Sequence, residues 1–377
     1  MKKIAILADF PRFAVTGDEG DRPVGVYATW LPQLAQALEA QHQYEIHWLI
    51  IDGGITKATT LEAWGQKFHY LPRWKKSIAI MTGYWADRRK ISRVLRQIKP
   101  DLIHAWGSEG GYGLVLLDHP GTSRILSMQG ILSYLCTLTK QRMLMRLQAA
   151  QETRVLRRVK EITCESEWGI EKAESFAPHA KFHHIEYGVN PQYLDVERNP
   201  SQEKLAIYVG GFSALKGSDT LMAAFRDPRL QGVSLKVLGV TEEAAGIVDV
   251  PANVQFLGRL PVDQVKQWMA KSWCLVHPTL ADTSPNCVKE ARVVGLPVVT
   301  TPEGGQTQYV KHGKSGWLHQ PGDVDGLIAG VNTVTASLET SLSMGQYEHQ
   351  LCRDALQPDK TMDRFIEIYS AMGMQSH

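Results

Sequence analysis

The chain has 377 residues, enough for two domains with separate hydrophobic cores. Its formal net charge of +2 argues against nucleic acid as a general partner, although the first 194 residues hold 25 Lys and Arg against 19 Asp and Glu and the rest hold 16 against 20. The five scattered cysteines are typical of a reducing compartment, and no apolar run reaches membrane-spanning length, so the sequence predicts a cytoplasmic protein without a signal segment.

Short apolar strands alternate with helices along the first half. We predict strands over 4–9, 44–51, 102–105, 124–129, 161–166 and 182–188, with helices over 30–38 and 90–98 and a loop over 10–25. This order is typical of a doubly wound, mostly parallel sheet. Trp106 follows one strand directly, at the carboxyl edge where such sheets bind ligands.

A helix predicted over 140–160 is strongly basic. Two interpretations stay open, a solvated helix face and a face that docks on anionic lipid at the inner membrane surface. Its cations are Lys140, Arg142, Arg146, Arg154, Arg157, Arg158 and Lys160.

The second half repeats the alternation. We predict strands over 205–211, 234–240, 254–260, 274–279, 297–301 and 315–320, and an amphipathic helix over 361–372. The predicted division is an N-terminal domain over 1–195, a C-terminal domain over 196–355 and a final helix over 356–377 that returns to the first domain. Neither half has Gly-x-Gly-x-x-Gly after its first strand, which disfavours a dehydrogenase. Asp323-Val324-Asp325 is interpreted as a helix cap and not as a metal site.

The most informative stretch runs from His277 to Gly305. Ser284-Pro285-Asn286 is a helix-start signal, so we predict a helix over 286–294 that ends at Gly295. Asp282 then lies in the loop at the helix start, and Glu290 lies inside the helix, about two turns on from Asp282. A helix start binds anions, so the arrangement suits a ligand with a central phosphate and hydroxyls at both ends.

The stretch resembles the signature of retaining glycosyltransferase family 4, which has the α/β GT-B fold of two Rossmann-like domains facing a central cleft. The family's acid, seven residues, Glu-Ala, turn and Gly-Gly loop are matched by Asp282, Glu290-Ala291, 295–299 and Gly304-Gly305. Residues 210–217 resemble the family's Gly-Arg-x-x-x-x-Lys-Gly. Three positions depart from the pattern, because Asp282 replaces Glu, Gly211 replaces Arg and Gln129 replaces His.

The resemblance implies roles for individual residues. Lys216 would bind the donor diphosphate, Glu290 the ribose hydroxyls and Arg259 the nucleobase through its backbone. Asp282 and Gln129 would be the catalytic pair, with Gln129 positioning the sugar without proton transfer. Gly25 and Trp106 would lie on the acceptor side. The remaining donor-binding positions would be Gly210, Gly211, Thr283, Ser284, Asn286 and Cys287.

The implied function is that of a retaining, metal-independent hexosyltransferase. It would move a sugar from a UDP- or GDP-sugar to an acceptor hydroxyl, in surface or extracellular polysaccharide or glycolipid synthesis. No cofactor is expected beyond the nucleotide-sugar substrate, and the acceptor would be a sugar or a lipid-linked sugar. The alternative is a GT-B nucleotide-sugar-binding protein with weak or no transferase activity. An epimerase is disfavoured by the acid–x7–Glu spacing, and a phosphorylase by the lack of a pyridoxal-lysine context.

Overall fold

The computed structural model describes residues 1–18, 30–39, 43–138 and 141–374. They form two compact units, Met1–Gly188 with Pro358–His377, and Val189–Gln357. The first unit ends ahead of the predicted boundary at 195, because Val189, Tyr193 and Leu194 are buried in the core of the second unit. Over the described ranges, no helix is both long enough and apolar enough to cross a membrane.

The first unit is built on a sheet that has eight strands within the described residues. Their order is β3-β4-β2-β1-β5-β6-β7-β8, and β3 is antiparallel to its neighbour β4. The order reverses at β1, where Ile4 to Leu7 pair with Leu102 to Ala105 of β5. The strands are β1 (Lys2–Leu7), β2 (Tyr44–Asp52), β3 (Thr59–Ala63), β4 (Gln66–Pro72), β5 (Leu102–Trp106), β6 (Ser123–Met128), β7 (Glu161–Cys164) and β8 (Lys181–His184).

Helices cover both faces of this sheet. Alternate residues of β1 therefore enter two separate cores, with Ala5 and Leu7 in one and Ile4 and Ile6 in the other. The helices of this part of the chain are α1 (Arg12–Thr16), α2 (Leu31–Glu39), α3 (Lys76–Met81), α4 (Trp85–Ile98), α5 (Gly111–Asp118), α6 (Leu132–Leu138), α7 (Met143–Leu156) and α8 (Glu167–Glu174).

Three predictions in this unit, one loop and two helices, need correction. The predicted loop over 10–25 contains α1. Helix α4 starts at Trp85 and not at 90. The residue before it, Tyr84, has a left-handed backbone conformation and forms no side-chain cap, so the sequence has no capping signal at this start. The basic helix over 140–160 is wrong in extent, because α7 ends at Leu156 and the chain then turns so that Val159 is buried. Lys140 and Gly25 lie outside the described residues.

The second unit is built on a parallel sheet, with six strands in the part of the chain that the structure describes. Their order is β11-β10-β9-β12-β13-β14, and all six predicted strands are confirmed with slightly shorter bounds. The strands are β9 (Leu205–Val209), β10 (Ser234–Leu238), β11 (Val254–Gly258), β12 (Cys274–His277), β13 (Val298–Thr300) and β14 (Gly316–Leu318). The helices are α9 (Ser218–Arg226), α10 (Glu242–Ala245), α11 (Val262–Lys271), α12 (Asn286–Val294), α13 (Val324–Val334), α14 (Leu338–Gln346) and α15 (His349–Ala355).

The last helix, α16 (Pro358–Ala371), packs in the first unit. Its residues Met362, Phe365 and Tyr369 are buried in the same core as Ile4. The Tyr369 hydroxyl lies 2.6 Å from His104 Nδ1, and Ser127 Oγ lies 2.6 Å from His104 Nε2. Burial lowers the pKa of His104 to about 3, so this histidine is a neutral structural residue.

The Asp-x-Asp sequence before α13 is a cap, as predicted. Asp323 accepts a hydrogen bond from the Gly326 backbone N–H at 2.9 Å. Asp325 forms an ion pair with Arg229 at 2.6 Å. Both carboxylates are therefore used by the protein itself.

Candidate functional site

The principal site of the second unit lies at the carboxyl ends of β9 and β12. The strands β9 and β12 are neighbours in the sheet although they are not consecutive in the chain. Strands β10 and β11 lie on one side of β9, and β12 to β14 lie on the other, so the order of the strands reverses at this point. Ligands of open α/β sheets bind at such a switch point. The Gly210 loop follows β9, and β12 ends at His277 and leads into the stretch that contains Asp282 and Glu290. The fold thus brings the two sequence motifs of this unit to one edge.

The loop after β9 is fixed against the loop after β12. The Leu280 N–H and the Thr279 hydroxyl both donate to the Leu215 carbonyl oxygen, at 2.8 and 3.0 Å. Gly217 has a φ of 73°, and a Cβ there would lie 1.8 Å from the Pro278 carbonyl oxygen. Lys216 is consequently held beside the residues that follow β12.

We expect Gly217→Ala to lower the free energy of unfolding by about 2 kcal/mol more than Gly313→Ala. The two glycines have nearly the same φ, 73° and 72°, but an added Cβ at Gly313 has no atom within 4 Å. Both variants carry the left-handed backbone penalty of about 1 kcal/mol, so their difference isolates the clash with Pro278. Urea unfolding measures it, and equal losses would show that the two loops are not rigidly joined.

The backbone of Asp282 is paired with the loop after β13. Its N–H donates to the Glu303 carbonyl at 3.2 Å, and its carbonyl accepts from the Gly305 N–H at 3.0 Å. Gly304 has a φ of 149°, and a Cβ there would lie 2.1 Å from the Asp282 carbonyl oxygen. Gly304 is therefore required by the close approach of these two loops.

The side chain of Asp282 joins two cations. Lys216 Nζ lies 2.5 Å from Asp282 Oδ2, and His277 Nε2 lies 3.3 Å from the same oxygen. The Cys287 thiol lies 3.6 Å from the other ring nitrogen of His277. Lys216, Asp282, His277 and Cys287 thus form a continuous chain of polar contacts, which we call the Asp282 chain.

Burial and pairing set the charges in the Asp282 chain. Burial alone would lower the pKa of His277, but Cys287 and Asp282 oppose it and raise the pKa to about 9. Burial would raise the pKa of Asp282, but Lys216 and His277 hold it well below its usual range. Burial would also lower the pKa of Lys216, but the carboxylate of Asp282 outweighs burial and raises that pKa. Near neutral pH, His277 and Lys216 are positive and Asp282 is negative.

Helix α12 begins next to the Asp282 chain and has the predicted bounds of Asn286 and Val294. Pro285 precedes its first residue and supplies no side-chain cap, so the first backbone N–H groups are left for other partners. Thr283 is buried, and Ser284 Oγ is buried without a hydrogen-bond partner among the described residues. Free N–H groups, a hydroxyl and the helix dipole together favour an anion at this point.

Glu290 lies inside α12, as predicted, about one turn after the first residue of the helix, Asn286. It forms a hydrogen bond with the Tyr193 hydroxyl. Burial raises the pKa of Glu290 to about 7, against the opposing effects of Lys289 and Tyr193. Among the described residues, no group of three or more His, Cys, Asp and Glu side chains is arranged to hold a metal ion.

The other predicted donor positions lie at neighbouring strand ends. The Gly210 N–H donates to the Leu238 carbonyl at 3.0 Å, and the Gly211 carbonyl accepts from the Tyr208 hydroxyl at 2.6 Å. Gly239 allows this approach, because a Cβ there would lie 2.5 Å from the Gly210 carbonyl oxygen. Arg259 is exposed just after β11.

The first unit has a separate cavity of about 130 Å³ at the carboxyl ends of β1, β5 and β6. Trp106 and Gln129, which were predicted on different grounds, both line it. Trp106 also packs against Tyr187 with ring centroids 5.1 Å apart, so much of its side chain serves the core. The other lining residues are Asp9, Leu31, Arg73, Lys76, Tyr84, Gly107, Glu109, Gly110, Gly111, Tyr112 and Gln148.

Charged groups meet in this cavity. The Tyr112 hydroxyl donates to Asp9 Oδ1 at 2.8 Å, and Arg73 Nε donates to Asp87 Oδ2 at 2.9 Å. Burial, with Glu152 and Asp9 nearby, raises the pKa of Glu109 to about 7. The cavity therefore offers both hydrogen-bond acceptors, including carboxylates, and hydrogen-bond donors, including a cation. This combination suits a ligand with many hydroxyl groups.

Sequence reasoning assigned no role to Asp9, Arg73, Glu109 or His277. Asp9 and Glu109 were detectable in principle, because Asp9 ends a predicted strand and Glu109 follows one within a few residues. His277 was not detectable in this way, because the strand predicted over 274–279 ends at His277 only in the structure. Arg73 was not, because the strand before it had not been predicted.

Comparison with known proteins agrees with this geometry. The family model described as "Glycosyl transferases group 1" matches residues 190–350, and the model described as "Glycosyltransferase Family 4" matches residues 28–193. A lipopolysaccharide core biosynthesis glycosyltransferase of Rhizobium meliloti, LpsE, is 26% identical over 169 residues, which are 41% of this chain and 49% of that relative. The match therefore spans about half the length of that protein.

Two solved structures share the fold over nearly the full chain. A sucrose-phosphate synthase from Thermosynechococcus elongatus has a TM-score of 0.80 at 15% identity and covers 99% of both chains. Anabaena HepE, solved with UDP-glucose, has a TM-score of 0.71 at 14% identity and covers 98% of this chain and 100% of its own. The two family models and the shared architecture show that this chain belongs to the group 1 glycosyltransferases of the family 4 type, with the GT-B fold.

Proposed function

We propose that this protein transfers a sugar from a nucleotide-sugar donor to an acceptor hydroxyl, with retention of anomeric configuration and without a metal ion. The observation that carries the proposal is the Asp282 chain. It places an ionised carboxylate and two cations at the start of α12, with Glu290 about one turn into that helix. A diphosphate flanked by a sugar and a ribose fits this order of groups.

The diphosphate would bind at Lys216 and the start of α12. The Lys216 side chain is 32% exposed, so its ammonium group can turn from Asp282 to a phosphate while the backbone stays in its loop. His277 is buried and would stay with Asp282, so the carboxylate keeps one counter-ion when Lys216 turns away. The leaving group gains negative charge in the transition state, and fixed cations and helix N–H groups stabilise it most at that stage.

The same arrangement supports a role for Asp282 at the transferred sugar. Its low pKa keeps it ionised, so it can accept a sugar hydroxyl or stabilise positive charge at the anomeric carbon, but it is a poor proton donor. Retention by paired carboxylates is the glycosidase solution, and the neighbours of Asp282 are cations. A same-face route, in which the leaving diphosphate accepts the acceptor proton, suits these residues better.

We place the acceptor, and Gln129 as a positioning residue, in the cavity of the first unit. Its mixed hydrogen-bonding groups and the Trp106 ring suit a sugar. The relative LpsE has lipopolysaccharide core biosynthesis in its name, which favours a surface polysaccharide or glycolipid as product. HepE was solved with UDP-glucose, which makes UDP-sugars the first donors to test, ahead of GDP-sugars.

Ligand-induced stabilisation tests the donor site. We expect one of UDP, GDP or ADP, with its sugar conjugates, to raise the melting temperature, since a ligand at 100 times its Kd adds about 2.7 kcal/mol. Glu290→Gln should weaken that ligand by about 2 kcal/mol, because a carboxylate accepts ribose hydroxyls better than an amide does. Since the pKa of Glu290 is about 7, affinity should rise from pH 6 to pH 8 in the wild type and not in Glu290→Gln.

The exposed Glu242→Gln is the matched control and should leave affinity and its pH dependence unchanged. The same panel separates the two functions. Donor binding with no turnover in the presence of acceptor extracts would favour the alternative, a nucleotide-sugar-binding protein in which Gly211 has removed a cation. Absence of any nucleotide-dependent stabilisation would contradict both.

A further inference from the structure

Large apolar side chains are exposed together on the first unit. Trp74 is 81% exposed, Met81 60%, Trp85 59% and Met143 85%, and Leu144 is also exposed. Single exposed apolar residues are ordinary on soluble proteins. Here five of them, including two tryptophans, lie in two segments, residues 74–85 and 143–144. The Asp282 chain does not explain why they are exposed.

The two segments touch each other. Gln151 of α7 donates to the Ile80 carbonyl oxygen at 2.8 Å, and Gln148 donates to the Tyr84 hydroxyl at 3.0 Å. Leu144 lies one helical turn before Gln148 and so shares its face of α7. Residues 74–89 and 142–146 therefore form one region of surface, which we call the tryptophan corner.

The tryptophan corner is basic and contains no accessible acid. Its exposed cations form no ion pair with another described residue, and Arg89 lies 4.9 Å from the centre of the Trp85 ring. Residues 63–86 and 119–151 contain no Asp or Glu, and Asp87 is buried against Arg73. Charge complementarity therefore favours an anionic partner for this surface. The cations are Lys75, Lys76, Arg89, Arg142 and Arg146.

We propose that the tryptophan corner docks this protein on an anionic lipid bilayer. Tryptophan rings favour the interface of a bilayer, where the apolar face and the indole N–H are both satisfied. Lys and Arg beside them are attracted to anionic headgroups while their stems cover apolar surface. A polyanion without an apolar phase would leave Trp74 and Met81 in water, so a lipid surface accounts for more of the corner.

This site differs from a general basic face on α7. Arg154, Arg157 and Arg158, near the other end of that helix, line a groove with Ser175, Pro178 and His179. Among the described residues, none of the exposed large apolar side chains lies in that groove. Basic side chains are thus present at both ends of α7, but exposed large apolar side chains accompany them only in the tryptophan corner. The groove at the other end of α7 therefore serves as a matched control for charge without apolar side chains.

The docking has a consequence for the acceptor, although it does not depend on the proposed function. Arg73, Lys76 and Tyr84 line the cavity of the first unit and belong to, or directly precede, the tryptophan corner. Docking would therefore hold that cavity beside the headgroups. If the transferase function is correct, a lipid-linked acceptor would reach the cavity from the bilayer.

Vesicle co-sedimentation tests the proposal without any need for activity. We expect the full chain to bind phosphatidylcholine vesicles that contain phosphatidylglycerol, and to bind pure phosphatidylcholine vesicles much more weakly. K75Q/R89Q should lower the partition coefficient roughly 30-fold, since each basic residue near an anionic surface contributes about fivefold. W74S/W85S should lower it by on the order of tenfold.

The control variants are R157Q/R158Q, which remove two charges from the groove, and V248S/L351S, which remove two exposed apolar side chains from the second unit. Both should bind as the wild type does, to within about twofold. Equal losses in R157Q/R158Q and K75Q/R89Q would replace the corner with a diffuse basic face. Wild-type binding by W74S/W85S, or equal affinity for soluble dextran sulfate, would overturn docking on lipid. All the variants should keep the wild-type circular dichroism spectrum, because the replaced side chains are exposed.

Discussion

Lys216→Ala should lower kcat for sugar transfer by on the order of 10²- to 10³-fold. Lys216 is the only side-chain cation that the described residues place in contact with Asp282 and that also retains access to solvent. By the resemblance, Gly211 stands where the family has a second cation, and His277 already contacts Asp282. Loss of Lys216 would therefore leave the leaving diphosphate with the helix start as its main source of positive potential.

The relative effects of Lys216→Ala on kcat and on KM distinguish this role from simple donor binding. Charge on the leaving group grows toward the transition state, so kcat should fall more than KM rises. Lys216→Arg keeps the charge but replaces a compact ammonium with a planar fork, and we expect an intermediate loss of roughly tenfold. Lys236→Ala, which removes a lysine bound to Gln255, should not change turnover. Wild-type kcat in Lys216→Ala would show that the diphosphate is neutralised elsewhere.

Local signals in the sequence were sufficient for the second unit. Strands there are short and uniformly apolar, and α12 has a strong start at Pro285 and a left-handed stop at Gly295, so both of its ends were predicted correctly. Because parallel strands end at one edge, the predicted strands also place Lys216 and Asp282 at the same edge of the sheet. Their 2.5 Å contact depends on the approach of Gly217 to Pro278, which no spacing of residues encodes.

The first unit was harder to predict for an equally physical reason. Its β3–β4 hairpin mixes polar and apolar residues, because Thr59 to Ala63 form an edge strand that is largely exposed. Without that hairpin, Arg73 and the tryptophan corner could not be placed at the end of a strand. The helix over 140–160 was overextended because its basic pattern continues past Leu156, whereas the chain turns there to bury Val159.

The free energy of unfolding should fall as pH rises from 6.5 to 9, through the titration of His277. Burial would lower the pKa of this histidine, but Cys287 and Asp282 raise it from 6.5 to about 9 in the folded protein. Between these values the folded protein retains a proton that the unfolded chain has lost, so raising the pH favours unfolding. The contribution is about 3 kcal/mol in total, present below pH 6.5 and lost above pH 9.

His277→Gln tests this assignment, because glutamine can still donate a hydrogen bond to Asp282 but cannot titrate. The raised pKa values of Glu290 and Glu109 lie near 7, so the clearest window is pH 7.5 to 8.5. There, urea unfolding of the wild type should lose about 1 kcal/mol per pH unit more than that of His277→Gln. His179→Gln, at an exposed position, should keep the wild-type slope. Parallel slopes in wild type and His277→Gln would mean that His277 is neutral in the folded protein. Asp282 would then lose its only counter-ion among the described side chains when Lys216 turns to the donor, because no charge would remain on His277 to replace it.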